Sequence, residues 1–84
     1  MTRYTVTWLE SALDQLAGIW MESETPGEVN AASARVNELL ASDAEKRGAE
    51  LSEGLRVLQV GRLRVLFEVR EDDRIVEVAR VVWM

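Results

Sequence analysis

Eighty-four residues with no cysteine and no histidine make one domain, and they exclude disulfide frameworks, thiolate metal sites and every nucleophile that relies on an imidazole base. A net charge of -5 works against sequence-independent nucleic-acid binding, because phosphate neutralisation supplies most of that affinity. No apolar run approaches the ~20 residues that a bilayer crossing needs, and a strand-like pattern begins at once at the N-terminus, so a soluble, cytoplasmic domain over 1–84 without a signal peptide is expected.

Tyr4, Val6 and Trp8 alternate with Thr5 and Thr7, the period of a β-strand with one apolar face. The period then lengthens. Leu13, Leu16, Ala17 and Trp20 fall at i, i+3, i+4 and i+7, the stripe of an amphipathic helix, with Glu10 and Asp14 off the stripe and toward water. Thr25-Pro26-Gly27-Glu28 combines a hydroxyl residue, proline at the next position and glutamate three residues on, which predicts a capping box at the start of a second helix. Val29, Ala32, Val36, Leu39 and Leu40 carry the second stripe to about Ser42, and the short link between the helices makes them a hairpin.

The periodicity lapses over 43–54, which reads as a loop with one helical turn at 44–47 ended by Gly48. Three strands follow in close order: Leu55–Val60, Leu63–Arg70 after Gly61, and 74–82 after Glu71-Asp72-Asp73. Connections this short force antiparallel neighbours. Leu63, Val65, Phe67 and Val69 give the middle strand one apolar face, and Arg62, Arg64, Glu68 and Arg70 take the other, interrupted by Leu66. The last strand is apolar on both faces except at Glu77 and Arg80, a pattern usual for a strand covered on both sides. The order β-α-α-β-β-β therefore predicts an α+β fold, a helical hairpin packed on one face of a small, mostly antiparallel sheet. Sheet order and the docking of the first strand stay open.

Charge is unevenly placed along this plan. Residues 1–50 hold four basic and nine acidic side chains, whereas 51–84 hold six of each, and all six basic ones are arginines. Arg56, Arg62, Arg64 and Arg80 are expected as a row on the uncovered sheet face, able to grip phosphate or carboxylate in bidentate fashion. The competing reading has the arginines paired across strands with Glu68 and Glu77. Tyr4, Trp8 and Trp20 fit apolar stripes and read as core. Trp83 and Met84 either pack on the helices or serve an interface. Ile19 and Met21, with Ala31 and Ala34, could form a shallow groove for a partner that docks as a helix or as an added strand, and the acidic surface favours a partner segment bearing lysine or arginine.

Several stretches together resemble the RelE/ParE superfamily of toxins from bacterial type II toxin–antitoxin pairs. They are Tyr4-Thr5-Val6-Thr7-Trp8, the leucine-striped helix containing Ile19-Trp20, Leu51-Ser52-Glu53-Gly54-Leu55-Arg56-Val57-Leu58, Val60-Gly61-Arg62-Leu63-Arg64-Val65-Leu66-Phe67-Glu68-Val69 and Ile75-Val76-Glu77-Val78-Ala79-Arg80-Val81-Val82. The resemblance implies a toxin held inactive by an antitoxin. RelE-like members cut messenger RNA in the ribosomal A site, and ParE-like members poison DNA gyrase. It makes Arg56 and Arg64 the candidate catalytic positions, since they match basic residues of the family's second and third strands. The second basic position of the second strand is Leu58 here, the aromatic before the third-strand arginine is Leu63, and the chain stops at Trp83-Met84, where ribonuclease members continue into a basic segment with tyrosine or histidine. The expectation is accordingly a toxin component that binds a gyrase-like or ribosome-associated target through Arg56, Arg62, Arg64 and Arg80. An antitoxin would meet it at Ile19, Met21, Trp83 and Met84, and no metal, cofactor or membrane is expected. A ribosome-dependent endoribonuclease on the same scaffold and a non-toxic, homo-oligomeric interaction module are the alternatives.

Overall fold

Two helices lie on one side of a five-stranded sheet. The computed structural model describes residues 3–42 and 44–84. In chain order these form β1 (Thr5–Trp8), α1 (Glu10–Glu22), α2 (Pro26–Ala41), a 3-10 turn at Ala44–Lys46, β2 (Ala49–Ser52), β3 (Leu55–Val60), β4 (Leu63–Arg70) and β5 (Ile75–Trp83). The sheet runs β1-β5-β4-β3-β2, antiparallel except for β1 beside β5. That settles the docking of the first strand. Thr5 N donates to Arg74 O at 2.8 Å and Leu9 N to Val78 O at 2.9 Å, so the first strand lies parallel to the last, and the helical hairpin carries the chain from β1 at one edge of the sheet to β2 at the other.

The core forms where the apolar face of the sheet meets the hairpin. Leu63, Val65 and Phe67 of β4 and Val76, Val78 and Val81 of β5 are buried against Val36 and Leu40 of α2 and Ala12 of α1. Tyr4 and the half-buried Trp8 join it as expected, and the Trp8 indole N–H donates to Asn37 Oδ1 at 2.8 Å. Among the described residues no helix is long and apolar enough to cross a membrane.

Four local expectations change. First, Ala49–Ser52 is a strand inside the expected loop, paired antiparallel with β3. All four of its residues are exposed, so no alternation marks it; its backbone alone makes the pairing. The expected helical turn is present at Ala44–Lys46, followed by Gly48 at φ 67, while Asp43, the expected start of the loop, lies outside the described residues.

Second, α1 presents a different stripe to the sheet. Ala12 is buried and Leu16 and Ile19 are partly buried against the core, whereas Leu13 and Trp20 are 50% and 46% exposed. The helix carries apolar residues around more than half its circumference, and periodicity alone does not choose between overlapping stripes. Tertiary contact chooses: Gln15 Oε1 accepts from Val81 N at 2.9 Å, which turns the Ala12-Leu16-Ile19 side to β5 and leaves Trp20 outside the core.

Third, Pro26 opens α2 at its first position, but Thr25 does not close a capping box. Its hydroxyl donates to Glu28 Oε2 at 3.2 Å instead of accepting from the helix backbone. Fourth, β5 is not covered on both sides. Leu66 pairs with Arg80 but Phe67 with Val78, so Ala79 is an extra residue, a β-bulge. Before the bulge Val76 and Val78 point inward; after it Val81 and Trp83 do, and Arg80 and Val82 turn out. The apolar run is two alternating halves offset by one residue.

Candidate functional site

Residues in cross-strand register share a face, so the arginines can be placed directly. Arg64 is opposite Val82 and Arg80 opposite Leu66, on the face away from the helices. The two are diagonal neighbours there. Arg64 donates to Gln59 Oε1 at 3.2 Å, and the exposed Arg80 has no hydrogen-bond or ion-pair partner among the described residues.

The other two leave the expected row. Arg56 is in register with the buried Phe67, on the helix side of the sheet. Its guanidinium donates to Arg47 O at 2.9 Å and to Gly48 O at 3.2 Å, tying the 3-10 turn to β3. Arg62 lies in the β3–β4 turn, donates to Met84 O at 2.6 Å and stacks 5.3 Å over the Trp83 ring, a cation–π contact at the end of β5. Strand parity fails for Arg62 because turn backbone does not keep the pleat, and for Arg56 because only its pairing with β4 reveals its face.

The cross-strand ion pair expected as the competing reading falls to another arginine: Arg70 meets Glu77 at 3.4 Å, a surface pair of small energetic value. Glu68 and Glu77 are opposite one another in the sheet. The outer face is therefore polarised along the strands. Glu68 lies four residues from Arg64, roughly 13 Å in an extended strand. At the other end stand Arg64 and Arg80 beside the apolar Leu66 and Val82. This end offers positive charge and paired donors for anionic oxygens.

The four expected partner-contact residues do not share one surface. Ile19 and Trp83 line a cleft of about 730 Å³ between the second half of α1 and the end of β5, shared with Arg62 and Arg80. Met21, 77% exposed, belongs to a shallow apolar groove of about 500 Å³ with Leu13, Ala17, Trp20 and, from α2, Val29. Met84 is exposed at the chain end. Sequence reading missed Leu13 and Trp20 as surface residues, although their stripe was visible, because it was assigned to the core.

No protein-family model and no curated protein matches this chain. Solved structures do. A chain of the toxin–antitoxin complex RelBE2 from Mycobacterium tuberculosis superposes with a TM-score of 0.83 at 21% identity, over 100% of this chain and 94% of that one. The chromosomal ParDE toxin–antitoxin system from P. aeruginosa gives 0.74 at 16% identity, over 98% and 97%. The isolated E. coli RelE toxin gives 0.67 at 17% identity, over 95% and 83%. At such identities the likeness is one of fold. This chain has the fold of the RelE/ParE toxins over its whole described length.

Proposed function

We propose that this protein is the toxin component of a type II toxin–antitoxin pair, which binds a gyrase-like or ribosome-associated target and is neutralised by an antitoxin protein. The observation that supports this is a fold match running nearly the full length of both chains, to RelBE2 and to ParDE. Arg64 and Arg80 make the target contact in this reading, since their guanidinium groups face outward and suit phosphate or carboxylate. The antitoxin covers the hairpin groove at Leu13, Trp20 and Met21 and reaches the cleft beside Ile19 and Trp83. Binding is favoured over messenger cleavage because cleavage needs a proton carrier beside the arginines, and the side chains paired across the sheet with Arg64 and Arg80 are Gln59, Val82 and Leu66.

Induced expression of the chain alone is expected to arrest growth, and co-expression of the adjacent reading frame to relieve the arrest. Arg64→Ala together with Arg80→Ala should abolish the arrest while shifting stability by less than about 1 kcal/mol, because neither side chain is buried. Loss of two charge-assisted contacts corresponds to a target affinity about 100-fold weaker or more. Undisturbed growth at good soluble expression of the unaltered chain overturns this reading in favour of a non-toxic interaction module.

A further inference from the structure

We infer that the outer face of the sheet takes a protein helix, one that presents a carboxylate, an apolar side chain and a cation in that order along one side, and does not take a nucleic acid.

Cross-strand register lays this face out in rows. Arg64 stands between Gln59 and Val82, and the next row is Val57, Leu66 and Arg80. One step further along the strands come Leu55, Glu68, Glu77 and Thr7. Positive, apolar and negative groups therefore follow one another along β4, at Arg64, Leu66 and Glu68, over roughly 13 Å. Arg70 holds Glu77, which leaves Glu68 as the open carboxylate of its row. Arg80 and Glu68 are exposed, and neither has a hydrogen-bond or ion-pair partner among the described residues. Val57 and Leu66, in the middle row, are half-buried.

The surroundings reject an extended polyanion. Glu22 and Glu24 line the cleft that Arg80 shares, and Arg62, already engaged at Met84 O and Trp83, shares its other groove with Glu28. Along the strands a phosphate chain would meet Glu68 and then the Glu71-Asp72-Asp73 turn. Two open guanidinium groups in an acidic surround neutralise few phosphates, and that neutralisation supplies most of the affinity for a nucleic acid. Stacking is missing as well. Tyr4 and Phe67 are buried, Trp8 bonds to Asn37 of α2, Trp20 lines the hairpin groove and Trp83 the cleft. No aromatic ring among the described residues is left on the outer face for a base to lie against.

A protein segment meets all three rows. Its carboxylate takes paired N–H donors from Arg64 or Arg80, its apolar side chain covers Leu66 and Val57, and its cation faces Glu68. The segment is helical, because an extended chain laid flat on a sheet face leaves its own N–H and C=O groups without partners, whereas a helix satisfies them internally. Positions i, i+4 and i+8 of a helix share one side and span about 12 Å, close to the distance from Arg64 to Glu68. Neither helix of this chain carries that series, so a second copy does not supply it. The inference rests on the target contact proposed above and narrows the target to a protein.

The probes are three blocked, alanine-rich helical peptides and a single-stranded oligouridylate. At i, i+4 and i+8 the first peptide has glutamate, leucine and lysine, the second glutamate, alanine and lysine, and the third glutamate, leucine and glutamate. Titration into the isotope-labelled full chain at low salt is expected to show the first peptide binding, with shifts centred on Arg64, Leu66, Glu68 and Arg80. The other two peptides and the oligouridylate should bind several-fold more weakly. Glu68→Arg should make the third peptide the preferred one and strengthen oligouridylate binding several-fold. Arg64→Ala with Arg80→Ala should weaken the first peptide at least about tenfold. Absence of binding by the first peptide, equal binding by either of the others, tighter binding by the oligouridylate, or shifts centred on the Leu13–Trp20 groove overturns the inference. A chain that arrests growth yet prefers the oligouridylate overturns this inference alone, and one without effect on growth that still prefers the first peptide overturns only the toxin reading.

Discussion

Gly48→Ala is expected to destabilise the domain by about 3 to 5 kcal/mol, a large part of what a domain this size has. A Cβ at this position would sit 2.0 Å from Val57 O and 2.8 Å from Val57 C, and both are backbone atoms of β3 that no rotamer change can move aside. The residue also has φ 67, a left-handed conformation that glycine adopts freely and alanine does not. The close approach is enforced from two sides: β2 pairs with β3 directly after the glycine, and Arg56 holds Arg47 O and Gly48 O from across the turn. Two other glycines separate the causes. Gly54 has φ 80 with open space around its Cβ, so Gly54→Ala should cost only the backbone strain, about 1 to 2 kcal/mol. Gly18 lies inside α1 with open space and helical backbone, so Gly18→Ala should be neutral or stabilising by up to about 1 kcal/mol. Urea unfolding with an unchanged slope would measure all three. Gly48→Ala within about 1 kcal/mol of Gly54→Ala would show that β3 yields to the added carbon and that the contact is softer than the geometry says.

The same turn shows where sequence reading succeeds and where it stops. Gly48 could be read as the end of a helical turn, because glycine after a short helical pattern is local information. The strand after it could not, since Ala49–Ser52 buries nothing and is held by partners that come later in the chain. The order of elements, the hairpin and the three antiparallel strands were legible because each has its own period. The parallel pairing of β1 with β5 was not, because no feature of Tyr4 to Trp8 names its neighbour.

The candidate site divides in the same way. Arg64 was placed on the correct face by alternation along an unbroken strand. Arg80 also reached that face, but only through the bulge at Ala79; strict alternation from Val76 and Val78 would have turned it into the core. An arginine at a nominally inward position, followed by Val81, was the signal that a residue had been inserted. Arg56 went astray because only its pairing with Phe67 shows its face, where its long side chain lies over the sheet and reaches the carbonyls of Arg47 and Gly48 at its tip. It acts as a clasp for the turn. Trp20 went astray for the opposite reason, a helix with more apolar surface than one sheet can cover.

The sharpest test of the layered arrangement is a pair of adjacent residues on opposite faces. Phe67 is fully buried against the helices, the largest such side chain, whereas Leu66 is half-buried on the face that carries Arg64 and Arg80. Phe67→Ala removes a ring from close-packed surroundings and leaves a cavity, so a loss of about 3 to 5 kcal/mol is expected, enough to unfold much of the population at 37 °C. Leu66→Ala gives up only part of a side chain's burial and leaves no enclosed void, so about 1 kcal/mol is expected. Thermal and urea unfolding of the two variants at several protein concentrations would compare them under one set of conditions. A Leu66→Ala loss as large as that of Phe67→Ala, or one that grows with protein concentration, would mean that something covers the outer face in solution. Arg64 and Arg80 would then be interface residues of an assembly, and an open arginine end for gripping a target would no longer exist.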